Sequence, residues 1–258
     1  MKVTPFHNPD EGILRVGGLM SGSGTNLRKI IEHQLNLKRT KGKSPYEVLV
    51  IFSDTWDSNA NLIGKDYDIP VITRDIRSFY EHRGKKKRDL SIRPEFDSET
   101  VKALSPYDIK VAVYAGYMSI ATAPLISAFL GINVHPADLS IEENGKRKYT
   151  GAHAVKDAIL AGEKTISSST HIIEEAVDEG RLLMISSPIP VEIEEGADLS
   201  DKDTLTKIEK YNQNRLKEAG DWIVFPKTIE FIAEGRFGYD ENGNIYFDEK
   251  PVPKGYRL

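Results

Sequence analysis

An α/β fold, with a mostly parallel twisted sheet covered by helices on both faces, is predicted by three observations. Apolar runs of strand length alternate with helical periodicities from residue 15 to residue 135. Several of those runs are apolar at nearly every position, as strands buried on both faces must be. A glycine-rich turn joins the first run to the first helical pattern, which is the opening half of a βαβ unit.

Taken in order, residues 15–19 (RVGGL) read as a strand, "MSGSGTN" as the turn, and Leu27, Ile30, Ile31 and Leu35 fall at helical spacing. Strand "EVLVIFS" (47–53) follows, then a helix from about Ala60 to Asp66, strand "IPVIT" (69–73), a charged stretch, and a helix near 98–104. Strand "IKVAVYA" (109–115), a helix near 121–129 and strand "GINVH" (131–135) complete this half. Beyond it, "ADLSIEENGKRKYTG" reads as a loop with Asn144-Gly145 as a turn signal, and residues 152–161 as a helix. "SSSTHIIE" (167–174) and "LLMISSPIPVEI" (182–193) read as strands paired across "EAVDEGR". Residues 200–234 are helical, as two helices or one kinked at Pro226, and the tail 238–258 reads as a hairpin turning at Asn242-Gly243-Asn244. With no repeat and no low-complexity linker, the expectation is one domain over 1–258 with a C-terminal helical and hairpin appendage.

Composition narrows the chemistry. The net charge of -4 gives no electrostatic footprint for nucleic acid or an anionic membrane, so small-molecule chemistry is favoured. The absence of cysteine excludes disulfides, thiolate metal sites and a Cys nucleophile. The opening "MKVTPFHNPDEG" has no apolar signal core and no run is long enough to span a bilayer, so a cytoplasmic protein is expected. No HExxH or comparable ligand cluster is present, and no metal is expected.

Three constellations carry possible chemistry. In "SGSGTN", glycines between strand and helix let backbone N–H groups approach an anion at a helix N-terminus, where a phosphate fits. The pattern is neither GxGxxG nor a Walker A loop; the plainer reading is a βα turn with Thr25 or Asn26 capping the helix. In "GINVH", alternation puts Asn133 and His135 on one face at a strand's C-terminal end, where open α/β sheets bind ligands. An amide can donate to an oxygen gaining charge and an imidazole can carry a proton near neutrality; the plainer reading is a strand-ending Asn and a structural His. Asp178, in the turn between two strands, could orient that imidazole, or could be a solvated turn residue. The basic stretch 81–93 reads as a solvated loop or helix start, His171 as structural, His153 as a residue of the pocket mouth, and Trp56 and Trp222 as packing residues.

Together these motifs resemble the folate-dependent phosphoribosylglycinamide formyltransferase family. The resemblance runs in order through "RVGGLMSGSGTNLRKII", "YAGYMSIA", "GINVHP", "GAHAVKDAILAGEKTISSSTHIIEEAVDEG", "PIPVE", "WIVFPKTIEFIAEGRF" and "VPKGY". It implies a Rossmann-like formyltransferase fold, with about 13–135 as the nucleotide-phosphate half and about 136–258 as the folate side and appendage. It implies formyl transfer from 10-formyltetrahydrofolate to the amine of glycinamide ribonucleotide, with no metal, in a monomer or homodimer. By the same resemblance Asn133, His135 and Asp178 are the catalytic trio, and Gly22, Ser23, Gly24, Thr25 and Asn26 hold the substrate phosphate. Asp221 faces the ribose, and Met118, Ser119, Ile120, Ala121, Glu174, Glu175, Val177, Glu179 and Gly180 hold the pterin end of the folate. The basic stretch 81–93 is a further source of cations for the substrate phosphate or the folate tail.

The chain departs from the family pattern in a longer 137–151 segment, in Glu179-Gly180 where Gly-Gly is usual, in Ser119 for Arg, and in Asp221 for Glu. Alternatives on the same residues are a related transferase acting on another amine, a 10-formyltetrahydrofolate hydrolase, and a non-catalytic nucleotide-binding homologue.

Overall fold

The computed structural model describes residues 2–258. At its centre, strands Leu14–Met20, Tyr46–Ser53, Val71–Thr73, Val111–Tyr114 and Leu130–His135 run parallel. Ser169–Ile172 joins antiparallel beside Leu130–His135, Leu182–Ile185 antiparallel beside that, and Tyr256–Arg257 closes the edge. The spatial order is 256–257, 182–185, 169–172, 130–135, 111–114, 14–20, 46–53, 71–73. The mostly parallel α/β sheet read from the sequence is the sheet observed.

The helices are α1 (Thr25–Lys41), α2 (Ala60–Tyr67), α3 (Ile76–His82), α4 (Arg93–Leu104), α5 (Ala123–Ala128), α6 (Ala154–Leu160), α7 (Lys202–Leu216) and α8 (Trp222–Ala233). Two apolar cores fill the two faces, as alternation along the strands demands. Val16, Leu27, Ile30, Ile132, Phe225 and Ile229 pack on the α1 and α8 side. Leu19, Phe52, Phe79, Phe96 and Leu125 pack on the α3, α4 and α5 side.

The order of strands fixes where a ligand can sit. From 14–20 the chain moves outward to 46–53 and 71–73, then returns to place 111–114 on the other flank of 14–20. The crevice at such a reversal, beyond the carboxyl ends of the strands, is the binding position of open α/β sheets. Here the Ser21 N–H donates to the Gly116 carbonyl at 3.0 Å and the Met118 N–H to Ser21 Oγ at 2.8 Å, so the glycine turn and the 116–121 segment meet there.

Several elements differ from the sequence reading. Helix α3 forms inside the charged stretch, and α4 begins at Arg93 rather than near 98, because its buried face carries Arg93, Asp97 and Thr100, which hide the apolar period. The two long strands are shorter, and Ile189–Pro190 leaves the main sheet to pair with Thr165–Ile166. The segment taken as a loop contains a hairpin, Glu142–Glu143 against Lys146–Arg147. Helices α7 and α8 are joined by a π-helical turn, Lys217–Asp221, so the break precedes Pro226. The tail hairpin, Phe237–Tyr239 against Ile245–Phe247, widens into a sheet with Thr4–Pro5 and Lys250–Pro251. Among the described residues no helix is long and apolar enough to cross a membrane.

Candidate active site

Asn133 and His135 stand on the last parallel strand, and antiparallel pairing places His171 opposite Asn133 and Ser169 opposite His135. The turn after 169–172 then returns Asp178 over the same strand end. Asp178 Oδ2 lies 3.4 Å from His135 Nδ1, and Oδ1 lies 3.6 Å from His171 Nε2. The amide of Asn133 is 3.2 Å from His171 Nε2. His135, distant in sequence, and His171, from the adjoining strand, are thus brought to one carboxylate, and all three side chains are largely shielded, His135 at 6%, His171 at 1% and Asp178 at 8% exposure. His171, read from the sequence as merely structural, belongs to this cluster.

The proton positions follow from the acceptors. His135 Nε2 is 3.0 Å from the Tyr149 carbonyl, which can only accept, so Nε2 carries hydrogen and Nδ1 of the neutral ring turns its lone pair toward Asp178. His171 Nδ1 faces the Ile172 carbonyl at 2.9 Å and must donate, and its Nε2 lies between the Asn133 amide and the Asp178 carboxylate. An Asn amide nitrogen has two hydrogens, so one remains free.

Burial lowers the His135 pKa from its ordinary value against the opposing pull of Asp178, and the ring is neutral at pH 7. Burial pushes the Asp178 carboxyl up, but the His171 and His135 rings and the Gly151 N–H outweigh it and hold the group at about 2. Asp178 also adopts left-handed backbone, φ 57, uncommon for a non-glycine residue although Asp enters it more readily than most. Two residues on, Gly180 is required by close approach: a Cβ there would lie 1.8 Å from the Ile172 carbonyl oxygen.

Beside this cluster opens a cavity of about 140 Å³. Of the residues assigned to the folate, Met118, Ser119, Ile120, Ala121, Glu174, Glu175 and Val177 line it, together with Asn133, His171 and Asp178. Met118 is 76% and Val177 62% exposed, apolar side chains held at its lip. Glu179 and Gly180 do not line it; Glu179 faces a neighbouring groove with Arg147 and Arg181. Ser119 Oγ donates to the buried Asp54 carboxylate.

The glycine turn lies across the reversal crevice. Gly24 is the N-cap of α1 in left-handed conformation, φ 67, with no side-chain cap, so neither Thr25 nor Asn26 plays the capping part. A Cβ at Gly24 would meet Ile63 Cδ1 at 2.4 Å. Gly22 and Ser23 are exposed, and the first N–H groups of α1 are free of any side chain. Asp221, delivered by the π-helical turn, accepts from Ser168 Oγ at 2.6 Å and lies 3.4 Å from Asn26 Nδ2. Burial pushes its carboxyl up to about 6, with Ser168, Asn26 and Lys217 pulling only partly against it. Asn26 Oδ1 is buried without a partner. His153 is largely exposed, with Glu209 at 3.8 Å. Among the described residues no group of His, Cys, Asp and Glu is placed to hold a metal.

The family model described as formyl transferase matches residues 14–217. The phosphoribosylglycinamide formyltransferase of Haemophilus influenzae is 26% identical over 245 residues, covering 94% of this chain and 98% of its own. The trifunctional purine biosynthetic protein adenosine-3 of Drosophila melanogaster is 26% identical over 223 residues; the match takes in 86% of this chain and 14% of that protein's length. Among solved structures, phosphoribosylglycinamide formyltransferase from Coxiella burnetii superposes with a TM-score of 0.69 at 24% identity, over 96% of this chain and 100% of that one.

Proposed function

The chain belongs to the formyl transferase family, and on that premise we propose that it moves a formyl group from 10-formyltetrahydrofolate to the amine of glycinamide ribonucleotide, a step of purine biosynthesis. The observation that carries the reading is the contact of Asp178 with His135 beside an apolar-lipped cavity. The donor supplies an activated formyl carbon; the residues of this chain bind it, hold the amine and move protons. Met118, Ile120 and Val177 fit the flat apolar face of a pterin, and Glu174, Glu175 and nearby backbone supply polar partners at its edge. Residues 13–135 carry the phosphate end of the acceptor and the 118–121 wall of the folate cavity, and 136–258 carry the rest of the folate side and Asp221, within one domain.

At the opposite end of the crevice, Gly22 to Asn26 offer backbone N–H groups at the start of α1 to the substrate phosphate. Asp221 and the unpartnered Asn26 Oδ1 accept from ribose hydroxyls. The acceptor amine then reaches the end of strand 130–135. As it attacks, its nitrogen becomes positive and the formyl oxygen gains charge. The free hydrogen of the Asn133 amide donates to that oxygen, a contact whose loss raises a barrier by about 2.7–4 kcal/mol in comparable sites. The proton lost by the amine passes by way of the Asp178 carboxylate, which lines the cavity, to the neutral Nδ1 of His135 behind it, and Asp178 stabilises the ring once charged. The proton returns to the folate nitrogen as the bond to the formyl carbon breaks.

The test is formyl transfer by the purified protein to glycinamide ribonucleotide, followed by tetrahydrofolate appearance, with His135→Ala as control. Acceptor-dependent turnover in the wild type and its loss in the variant are expected. A wild-type rate no higher than the variant's, or formate release independent of acceptor, overturns the reading.

A further inference from the structure

The segment that lengthens the chain after the catalytic strand is not a passive loop. Asn144 and Gly145 both have positive φ, 54 and 74, so they form the two-residue turn whose twist matches a hairpin, and Glu142 pairs with Arg147 across it. That pairing aims Arg147 back at the 176–180 turn. Its Nη1 donates to the carbonyl of Asp178, and its Nη2 to the carbonyl of Gly180 at 2.8 Å. Within the next four residues the Tyr149 carbonyl accepts from His135, and the Gly151 N–H donates to Asp178 Oδ2 at 2.8 Å. One short stretch of chain therefore touches both partners of the proton-transferring pair. Tyr149 anchors it, 2% exposed, with its hydroxyl 2.6 Å from Glu163.

The fork matters because of what it grips. Asp178 sits in left-handed backbone, and Gly180 is so close to the Ile172 carbonyl that the turn has no slack on that side. A planar guanidinium spanning two carbonyls fixes the spacing and tilt of the peptide units between them, which a single ammonium cannot do.

We propose that Arg147 is a positioning residue: by bridging the carbonyls of residues 178 and 180 it holds the Asp178 carboxylate against His135 for proton transfer. The inference rests on the formyl transfer reading above. Arg147 touches neither the cavity nor the glycine turn, so its effect falls on turnover rather than on binding.

The experiment measures kcat and KM for glycinamide ribonucleotide in wild type, Arg147→Ala, Arg147→Lys and Asp178→Asn, with thermal unfolding of each. Expected is a fall in kcat of about 10²-fold in Arg147→Ala, the scale on which a misplacement of about 1 Å acts, with KM changed less than about threefold. Arg147→Lys, which keeps a cationic donor group without the planar fork, recovers part of the loss, and free guanidinium restores turnover to Arg147→Ala. A kcat of Arg147→Ala within about twofold of wild type, or a loss carried by KM, overturns the proposal. If Asp178→Asn is inert and Arg147→Ala is not impaired, this inference fails alone; if Asp178→Asn turns over like wild type, the reading of the site itself fails.

Discussion

Glu230 and Asp178 are both buried carboxylates held below the usual range, and they are held in opposite ways. Glu230, 1% exposed on α8, accepts from Lys41, Lys227 and His33, each at 2.9 Å, and ties α8 to α1. Two of its partners are amines whose other side is in water. The Asp178 carboxylate has a single short contact, the Gly151 N–H, and two imidazoles at 3.4 and 3.6 Å, beyond good hydrogen-bond length. It stands in left-handed backbone at the rim of a cavity, while Glu230 stands in regular helix. A carboxylate that stabilises the fold has its charge saturated at close range. One that serves a reaction keeps its contacts long and its strain in place, because its best partner arrives with the substrate.

Exchanging each carboxylate for its amide breaks that comparison if it is false. Asp178→Asn should lower kcat by about 10³–10⁴-fold, since the proton accepted at His135 loses its counter-charge, a loss far beyond what the carboxylate's modest share of stability accounts for. Steady-state kinetics and calorimetry on one preparation decide it; a large drop in melting temperature with kcat retained would assign Asp178 to the fold instead. Glu230→Gln should do the reverse. It keeps kcat at temperatures below unfolding and loses about 2–3 kcal/mol of stability, less than for a pair with both partners buried because Lys41 and Lys227 can rehydrate. Glu230 has its pKa depressed on folding, so its contribution is present above the unfolded carboxyl value near 4.3 and is lost as pH falls through the lower folded value. Denaturant unfolding of both proteins at neutral pH and at about pH 3 should show the gap narrowing with acid.

Much of this contrast was legible before any coordinates, and the part that was not has a physical cause. The parallel strands were readable because double-sided burial makes them apolar throughout, and Asn133 and His135 stood out as polar groups on such a strand. Helix α3 was hidden in "IRSFYEH", where only Ile76, Phe79 and Tyr80 are buried. Helix α4 was hidden by an ion pair turned inward, Arg93 at 2% and Asp97 at 0% exposure. Its buried face is in place of an apolar stripe, and Asp97 uses it to receive the N–H and hydroxyl of Thr122, which ends the 118–121 wall of the cavity. The 142–147 hairpin is charged at every position but its turn, so no period distinguished it from a loop. His171 was missed because its role depends on antiparallel register with Asn133, a relation between strands that no local pattern encodes. The usable signal was its position on "STHI", seven residues before Asp178 and on the same face as Ser169.

Asp221 sharpens the comparison from a third side, with the smallest effect. Its burial is met only by a hydroxyl and a distant amide, so its pKa is raised to about 6 where that of Glu230 is lowered. The unfolded carboxyl titrates near 3.9, so between about pH 4 and 6 the folded state holds more proton than the unfolded one, and stability falls as pH rises. Asp221→Asn removes that cost. At pH 8 the variant should be more stable than wild type by about 1–2 kcal/mol, and below about pH 4 the two should coincide. The sign is opposite to that of Glu230→Gln, which loses stability at neutral pH. Asp221→Asn should also raise KM for the ribonucleotide, because a neutral amide accepts more weakly from a hydroxyl than a carboxylate does. Greater stability with weaker substrate binding is the pattern of a group kept against the interest of the fold. Unfolding curves at pH 4, 6 and 8 that run parallel for variant and wild type would show that Asp221 is compensated as fully as Glu230, and the distinction between the two regions would not hold at the ribose end of the crevice.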